Sequence, residues 1–324
     1  MKCIILTIGL IVSFAVTSLL SHSARAAVIF ADSFDRGNSN NIDASLSGIT
    51  DNTGDSLPVD SVYSTPWVDP ANQGAGPDGT ANNGGGQRIN NNVYEKYAVG
   101  TANLFVNHNF INPDILAAGG FSVSLDVTKI TQNTDAGKGA AFAIGMSLSE
   151  AQSGHDGFDG TTNPATTVSK YTNAFQDTAF TTPGGIVSGD FYLGIRGGAG
   201  TNGTLAWGSG SGTGTGAAAP TLASITGSTG TISAVFTFNS FNAGSTVNYN
   251  VLLNGVSKGT GTFTWSGTNE NYIGIDARDG VSVLMDNFSV TTVPEPATAG
   301  LIVSLIMCAA VCRRSRGASA RITG

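Results

Sequence analysis

The central part of the sequence lacks cysteine. Three cysteines occur among 324 residues: Cys3 lies near the start, and Cys308 and Cys312 lie near the end. A thiol nucleophile and a cysteine-based metal site are therefore excluded for residues 27–292. A core of this length does not require disulfides, even in an oxidising compartment.

Histidine and glutamate are also scarce in this region. Its only histidines are His108 and His155, and no Gly-x-Ser-x-Gly elbow supplies a serine nucleophile beside them. Its three glutamates lie far apart in sequence, whereas a glycosidase needs two carboxyl groups on one face. We therefore predict that the protein is not an enzyme, and a glycoside hydrolase stays open as an alternative.

Positive charge is rare. Residues 27–292 carry 21 acidic against 9 basic side chains, which argues against nucleic acid as a partner. The aspartate excess leaves cation binding open, and calcium prefers such oxygen ligands on glycine-bent loops. Asp156 and Asp159 are the candidate ligands of a structural calcium ion, and Asp32 with Asp286 is a second set.

The start of the chain has the features of a secretory signal peptide. Lys2 precedes an uncharged apolar run over residues 4–20, and small residues follow at Ala24 and Ala26. This order predicts that residues 1–26 direct export and that signal peptidase cleaves after Ala26.

The end of the chain has three consecutive parts. A short proline motif precedes an apolar segment over residues 297–312, and a basic cluster follows it. Sixteen residues at ~1.5 Å rise reach about 24 Å, so a single membrane-spanning helix would fit a slightly thinned bilayer. The basic cluster would stay cytoplasmic, which places the body outside. The motif is Val293, Pro294, Glu295 and Pro296, and the basic cluster is Arg313, Arg314 and Arg316.

This tail resembles the PEP-CTERM sorting signal of polysaccharide-producing Gram-negative bacteria. The resemblance covers residues 293–317, and a tail over residues 318–324 extends beyond the usual ending. It implies recognition by an exosortase-type enzyme, anchoring in the inner membrane before processing, and a final place at the cell surface or in the extracellular matrix. An ordinary single-span anchor after two prolines is the alternative reading.

Residues 27–292 have the composition and periodicity of an all-β protein. The chain contains 44 glycines, and residues 121–128 alternate between apolar and polar side chains, as do four later stretches. Asn254-Gly255 predicts a hairpin over residues 247–258. Residues 113–117 are the only predicted helical turn, with Asn112 as its cap. The later alternating stretches are residues 142–148, 191–195, 232–238 and 247–253.

Long polar loops separate these strands, and several aromatic residues lie in or beside them. Stacking of exposed rings on sugars, with hydrogen bonds from loop residues, would bind carbohydrate. Trp67 and Trp207 are the candidate ligand-binding residues, and Tyr94, Tyr97 and Tyr171 have similar positions. The predicted loops are residues 37–60, 69–92, 149–170 and 196–221.

The body resembles concanavalin A-like, laminin-G-like jelly rolls. The likeness rests on the opening residues 30–36, on Trp67 and on the closing residues 272–275 and 286–290. It implies an antiparallel β-sandwich (jelly roll) in which the first and last strands pair. We therefore predict an exported jelly-roll protein that associates with extracellular polysaccharide. A purely structural surface protein without a ligand is the alternative.

Overall fold

The structure is a computed structural model that describes eight stretches of the chain. They are residues 26–64, 87–96, 102–131, 139–152, 189–197, 202–210, 220–277 and 282–294. Val28–Val293 forms one compact unit, which is described below. No helix within the described stretches is both long enough and apolar enough to cross a membrane. The predicted signal peptide up to Arg25 and the predicted membrane helix lie outside these stretches.

The described chain is built almost entirely of strands, with two short helices. The helices are α1 (Pro113–Ala118) and α2 (Leu148–Gln152). The strands are β1 (Val28–Asp32), β2 (Ile49–Asp51), β3 (Tyr63–Ser64), β4 (Gln87–Ile89), β5 (Tyr94–Lys96), β6 (Ala102–Val106), β7 (Gly120–Thr131), β8 (Gly139–Met146), β9 (Phe191–Gly197), β10 (Asn202–Ser209), β11 (Thr221–Thr226), β12 (Gly230–Thr237), β13 (Thr246–Leu253), β14 (Val256–Thr264), β15 (Tyr272–Ala277) and β16 (Ser282–Thr292).

These strands form two antiparallel sheets. The large sheet has the order β14-β13-β12-β7-β16-β1-β2, with β5 also paired to β16 and β4 paired to β5. The small sheet has the order β11-β10-β9-β8-β15-β6-β3. β1 pairs with β16, as the resemblance implied. The prediction of an all-β antiparallel sandwich is therefore confirmed.

The core lies between the two sheets and is rich in aromatic rings. Phe236 of the large sheet meets Phe191 of the small sheet edge to face, with ring centroids 5.1 Å apart. Phe121 lies beside Phe236 at 5.1 Å. The predicted alternation of β7 is confirmed, because Phe121, Val123 and Leu125 are fully buried and the residues between them are partly exposed. One continuous apolar cluster joins the two sheets.

The small sheet departs from the prediction of strands with one buried face. Every residue of β8 and β9 is buried, so both faces of these strands are covered. On the face away from the main core, Tyr192, Ala143 and Phe105 belong to a second apolar cluster. Ala151 of α2 belongs to the same cluster, so this short helix covers part of the second face.

One helix was predicted and one was missed. In α1, the Asn112 side chain accepts a hydrogen bond from the Asp114 N–H, and Gly119 ends the helix with φ at 77°. Helix α2 occupies the start of a predicted loop, and Leu148, expected in a strand, is its first residue and is 40% exposed. Ser147 and Glu150 form a capping box, in which each side chain accepts the other's backbone N–H.

Strand β10 also lies in a predicted loop, together with the Trp207 that was expected to face solvent. Small residues at Gly203, Ala206 and Gly208 hide its alternation, so only Leu205 and Trp207 mark the inner face. The ring of Tyr192 lies over Gly208, where a Cβ would meet the tyrosine hydroxyl at 2.5 Å. β2 and β4 are short strands within two other predicted loops.

The predicted hairpin at Asn254-Gly255 is confirmed, and a bulge alters its register. Both turn residues have positive φ, as a two-residue type I′ turn requires. Counting from this turn would place Asn250 opposite Gly259. In the structure Asn250 pairs with Thr260, because the ladder shifts by one residue at Lys258. A shift of one residue exchanges the two faces of a strand.

The bulge turns the glycines of β14 inward, where two large rings need the space. A Cβ on Gly259 would lie 2.6 Å from Cζ2 of Trp207, and Tyr249 lies equally close over Gly261. Trp207 belongs to the main core, and Tyr249 packs against it. The threonines between these glycines therefore face outward.

A buried ion pair holds the segment that follows β1. Arg36 donates to both carboxylate oxygens of Asp32, at 2.8 and 2.7 Å. It also donates to the carbonyl oxygens of Ile42 and Ser47, and the Tyr63 hydroxyl donates to Asp32 at 2.8 Å. Both charged side chains are almost fully buried. This network ties residues 32–47 to β3.

Substitution of Gly259 tests the bulge and the fit around it. Gly259→Ala should lower the free energy of unfolding by about 1–3 kcal/mol, because the new methyl group overpacks the site of Trp207. Gly37→Ala is the matched control, since nothing lies within 4 Å of its Cβ position. Urea unfolding measures both changes. Equal stability of the two variants would contradict the inward placement of Gly259.

Substitution of Arg36 tests the buried pair. Arg36→Met should cost about 3–5 kcal/mol, because it leaves the Asp32 carboxylate buried without its cation. The double variant Asp32→Asn/Arg36→Met should be more stable than Arg36→Met. Arg88→Met is the control and should cost less, since Glu95 keeps its hydrogen bonds from Asn90 and Ser282 when the ion pair with Arg88 is lost. Urea unfolding that ranks Arg88→Met as the more damaging change would contradict this account.

Candidate functional site

The outer face of the large sheet carries an open groove of about 410 Å³. It crosses three neighbouring strands at the β14 edge of the sheet. One row of paired residues contains Val235, Asn250 and Thr260, and the next contains Thr237, Asn248 and Thr262. The lining residues are Val235, Thr237, Asn248, Tyr249, Asn250, Thr260, Gly261 and Thr262.

Alternation and the bulge together place these side chains. Ala234 and Phe236 point into the core from β12, so Val235 and Thr237 face outward between and beyond them. On β13, Val247 and Val251 point into the core, so Asn248 and Asn250 face outward. On β14 the bulge gives the outward positions to threonine. The lining side chains thus repeat at ~4.8 Å across the strands and at ~6.8 Å along them.

The lining of the groove has no charged side chain and combines apolar surface with amide and hydroxyl groups. Its amide and hydroxyl groups can each donate and accept hydrogen bonds. Ser257 donates to Oδ1 of Asn250 at 2.6 Å and so orients that amide. Val235 and the threonine methyl groups supply apolar surface between the polar atoms. A surface of this kind suits a ligand with many hydroxyl groups and exposed C–H faces.

A pair of carboxylates lies on the same outer face, further along the strands. Asp126 and Asp286 are directly opposite each other on β7 and β16. The Asn287 amide and the Thr231 hydroxyl both donate to Asp126. Burial raises the pKa of Asp286, hydrogen bonding by the Asn287 N–H lowers it, and the nearby carboxylates, Asp35 among them, raise it further. Like charges directly opposite on adjacent strands repel each other.

A second group of carboxylates lies at one end of the small sheet. Asp190 precedes β9 and is 1% exposed. The Ser266 N–H donates to its Oδ2 at 2.9 Å, whereas Oδ1 is buried without a hydrogen-bond partner. Burial raises the pKa of Asp190 to about 7, Ser266 opposes the rise, and the charge of Glu150 adds to it. Burial also raises the pKa of the Glu150 carboxyl.

The backbone and the side chain of Asp190 connect three parts of the fold. Its N–H donates to the carbonyl of Ile144, and its own carbonyl accepts from the N–H of Gly210. Gly145 makes room for the side chain, since a Cβ there would lie 2.6 Å from the Cβ of Asp190. The residue therefore joins β8, β10 and the turn after β14 at one point.

His108 lies just after β6 at the same end of the small sheet. Its Nδ1 contacts Oδ2 of Asp55, and its ring meets Phe110 edge to face at 4.8 Å. Its Nε2 is buried without a hydrogen-bond partner. An Asp–His pair occurs in Ser–His–Asp catalytic triads. Here, however, the His108 ring packs against Phe110 at the edge of the core.

The second predicted calcium set does not fit a metal ion. Both oxygens of Asp32 already accept hydrogen bonds from Arg36, and the Phe34 N–H and the Tyr63 hydroxyl add two more. A cation at Asp32 would have to displace a buried guanidinium. Within the described stretches, no group of three His, Cys, Asp or Glu side chains is arranged to hold a metal. Asp156 and Asp159 lie outside the described residues.

Comparison with known proteins gives distant structural likenesses. No family model and no curated protein matches the sequence. The legume lectin-like domain from Entamoeba histolytica is 9% identical with a TM-score of 0.37, over 65% of this chain and 88% of that one. The Ca2+/Man3GlcNAc-bound VIP36 exoplasmic/lumenal domain is 9% identical with a TM-score of 0.36, over 64% and 81%.

An enzyme is among these structures as well. A prokaryotic β-1,3-1,4-glucanase (lichenase) from a mouse hindgut metagenome is 9% identical with a TM-score of 0.37, over 81% of this chain and 97% of that one. Bound sugar and glucan hydrolysis are properties of those proteins. The strand pairing described above defines the sandwich of this chain.

The two predicted aromatic site residues that the structure describes, Trp207 and Tyr94, are both buried in the core. Trp207 is 4% exposed and packs in the core over Gly259, so it offers no free ring face to a sugar. Its placement in a loop is wrong, because the weak alternation of β10 concealed a strand. Tyr94 is fully buried under Phe34. Trp67, Tyr97 and Tyr171 lie outside the described residues.

The predicted sorting residues begin where the sandwich ends. Val293 is 8% exposed, and its N–H donates to the carbonyl of Gly120 at 3.1 Å, so it continues the pairing of β16. Pro294 is the last described residue of the C-terminal motif, and Ala26 is the first described residue of the chain. Ala24, Glu295, Pro296 and the arginines Arg313, Arg314 and Arg316 lie outside the described stretches.

Sequence reasoning missed the groove because it treated the alternating strands only as core. The outward Asn248 and Asn250 follow from the same alternation that identified Val247 and Val251 as buried. The pairing of these asparagines with threonines could not be counted from the turn, because the bulge at Lys258 shifts it. An Asn-x-Asn stretch beside a Thr-x-Thr-x-Thr stretch was the available signal.

The pKa of Asp190 predicts how stability changes with pH. Below about pH 4 the carboxyl is protonated in both the folded and the unfolded chain. As the pH rises from about 4 to 7, only the unfolded chain ionises, so the free energy of unfolding falls, by about 2–4 kcal/mol in all.

Asp190→Asn should remove this penalty, because an amide keeps an acceptor for the Ser266 N–H and does not ionise. We expect the variant to be more stable than the natural protein at pH 8 and close to it at pH 4. Urea unfolding at both values measures the difference. A difference that does not grow between pH 4 and pH 8 would show that Asp190 is not protonated in the folded protein.

Proposed function

We propose that this chain is an exported, non-catalytic protein that binds polysaccharide through the groove on the outer face of the large sheet. The observation that supports it is the groove lining, in which uncharged amide and hydroxyl groups stand at regular strand spacing on three adjacent strands. A polysaccharide has the complementary hydroxyl groups and repeats them along its length.

Other ligand classes fit this surface less well. A protein partner would need an apolar patch at the centre of the interface, and Val235 is the single aliphatic side chain of the lining. A nucleic acid would need clustered Lys and Arg, and the lining has neither. A groove of about 410 Å³ open to solvent suits part of an extended chain.

The two ends of the sequence support a place for this binding outside the cytoplasm. The signal peptide up to Ala26 would give export through signal peptidase, and the motif from Val293 would give recognition by an exosortase-type enzyme. Anchoring in the inner membrane would precede transfer to the cell surface or the extracellular matrix. Extracellular polysaccharide is then the ligand that the protein meets.

The test is binding of the purified protein to the exopolysaccharide of its own host. The melting temperature and titration calorimetry measure this binding. A ligand that binds the native state must raise the melting temperature in a saturable way. Asn248→Ala and Thr262→Ala should each remove about 0.5–1.5 kcal/mol of binding free energy, which is roughly 2- to 10-fold in Kd.

Thr50→Ala is the matched control. Thr50 is an exposed threonine on β2, opposite Ala31 and four strands away from β12 on the large sheet. Its substitution should leave the affinity unchanged. Binding that is equally weakened by Thr50→Ala, or no saturable shift with any host polysaccharide, would replace this proposal with a purely structural surface protein.

A further inference from the structure

The distribution of charge around the groove bears on which polysaccharides it can accept. None of the eight lining residues is ionisable apart from Tyr249, which packs against the core. Among the residues that the structure describes, Asp126 and Asp286 are acids on the same face. Asp126 is opposite Thr231, four residues before Val235 on β12, so the pair lies about 13 Å along the sheet from the first row of the groove.

These two carboxylates accept hydrogen bonds from uncharged groups. Thr231 and Asn287 donate to Asp126, and the Asn287 N–H donates to Asp286. Within the described stretches, no lysine or arginine forms an ion pair with either acid. Asp35 adds a third negative charge near Asp286. These carboxylates therefore add negative charge to the outer face, and the exposed Lys129, opposite Leu284 on the same two strands, offsets only part of it.

Of the described cations, one lies at the edge of the groove. Lys258 is the bulged, exposed residue next to Gly259 on the edge strand β14. A single exposed lysine forms an ion pair worth roughly 0–1 kcal/mol. It does not outweigh a body in which acidic residues exceed basic ones by more than two to one. An acidic polysaccharide thus meets repulsion along the face and one weak partner at the edge.

We propose that the groove selects uncharged polysaccharide chains and disfavours acidic ones. This inference rests on the proposed function and narrows its ligand to neutral hexose polymers. Binding is due to hydrogen bonds and C–H packing, so it does not depend on salt. Discrimination against uronic acid polymers is due to the charges of the Asp126 and Asp286 carboxylates, so it depends on the salt concentration.

Salt gives the physical test because screening depends on distance. The Debye length is about 30 Å at 0.01 M salt and about 8 Å at 0.15 M. The carboxylate pair lies about 13 Å away along the strands and one to two strand spacings of ~4.8 Å away across the sheet, so its charge acts on the groove at low salt and is largely screened at physiological salt. Neutral chains should bind equally well under both conditions.

The experiment compares two probes on the full-length protein by titration calorimetry: a linear neutral glucan and alginate, a linear polymer of uronic acids. At 0.01 M salt the neutral glucan should bind at least ten-fold more tightly than alginate. The ratio should shrink several-fold at 0.15 M, and the affinity for the glucan should change less than two-fold.

Variants separate the contributions. The double variant Asp126→Asn/Asp286→Asn should raise the affinity for alginate at 0.01 M and leave the affinity for the glucan unchanged. Lys258→Ala should weaken only the residual binding of alginate. Asn248→Ala should weaken the binding of the glucan, which would show that the glucan binds in the groove.

The outcomes distinguish the two levels of inference. If alginate binds as tightly as the glucan or more tightly at 0.01 M salt, and Asn248→Ala weakens it, the groove binds polysaccharide and the proposed selectivity is wrong. If neither polymer and no host polysaccharide binds, the proposed function falls together with the selectivity. If the double variant leaves alginate binding unchanged, the carboxylate pair is not the source of discrimination.

Discussion

The bulge at Lys258 is the constraint on which both faces of the outer hairpin depend. Without it, the two-residue turn at Asn254-Gly255 would place Gly259 and Gly261 on the outside and the threonines of β14 inside. The core would then lose the space that Trp207 and Tyr249 occupy, and it would receive hydroxyl groups without partners. One extra residue therefore provides both the fit of the core rings and the polar groove.

The edge position of β14 makes this arrangement feasible. A bulge leaves a residue unpaired, and on an edge strand that residue can turn to solvent. Lys258 is such an unpaired residue, and it is exposed. A charged, bulged edge also discourages pairing with a strand from another molecule, which an exposed row of threonines and glycines would otherwise invite.

Much of the fold could be predicted from the sequence because the signals were local. Asn112, Pro113 and Gly119 define α1 through caps that need only neighbouring residues, and Asn254-Gly255 defines a turn by its dihedral preference. The alternation of β7 is equally local. In each case the residue type that permits the local backbone geometry is also the signal by which the element is predicted.

The rest depended on contacts between residues distant in sequence. β10 looks like a loop because Tyr192 of the neighbouring strand requires glycine at position 208, and the loss of side chains removes the alternation. The core position of Trp207 follows from glycine on β14, which lies in the other sheet. The capping box of Ser147 and Glu150 was readable, but the apolar Leu148 beside it continued the strand pattern and concealed the helix.

The same distance in sequence hides the two carboxylate groups, and their locations complete the account of the groove. Asp190 is buried where three chain segments join, and Asp126 faces Asp286 across a strand pair. Each placement costs stability, since burial or a like charge opposes ionisation. Both lie away from the β12–β14 groove. A protein with so many acids can keep one uncharged hydrogen-bonding surface only if its charged residues lie elsewhere. The proposed selectivity of the groove for uncharged ligands follows from this separation.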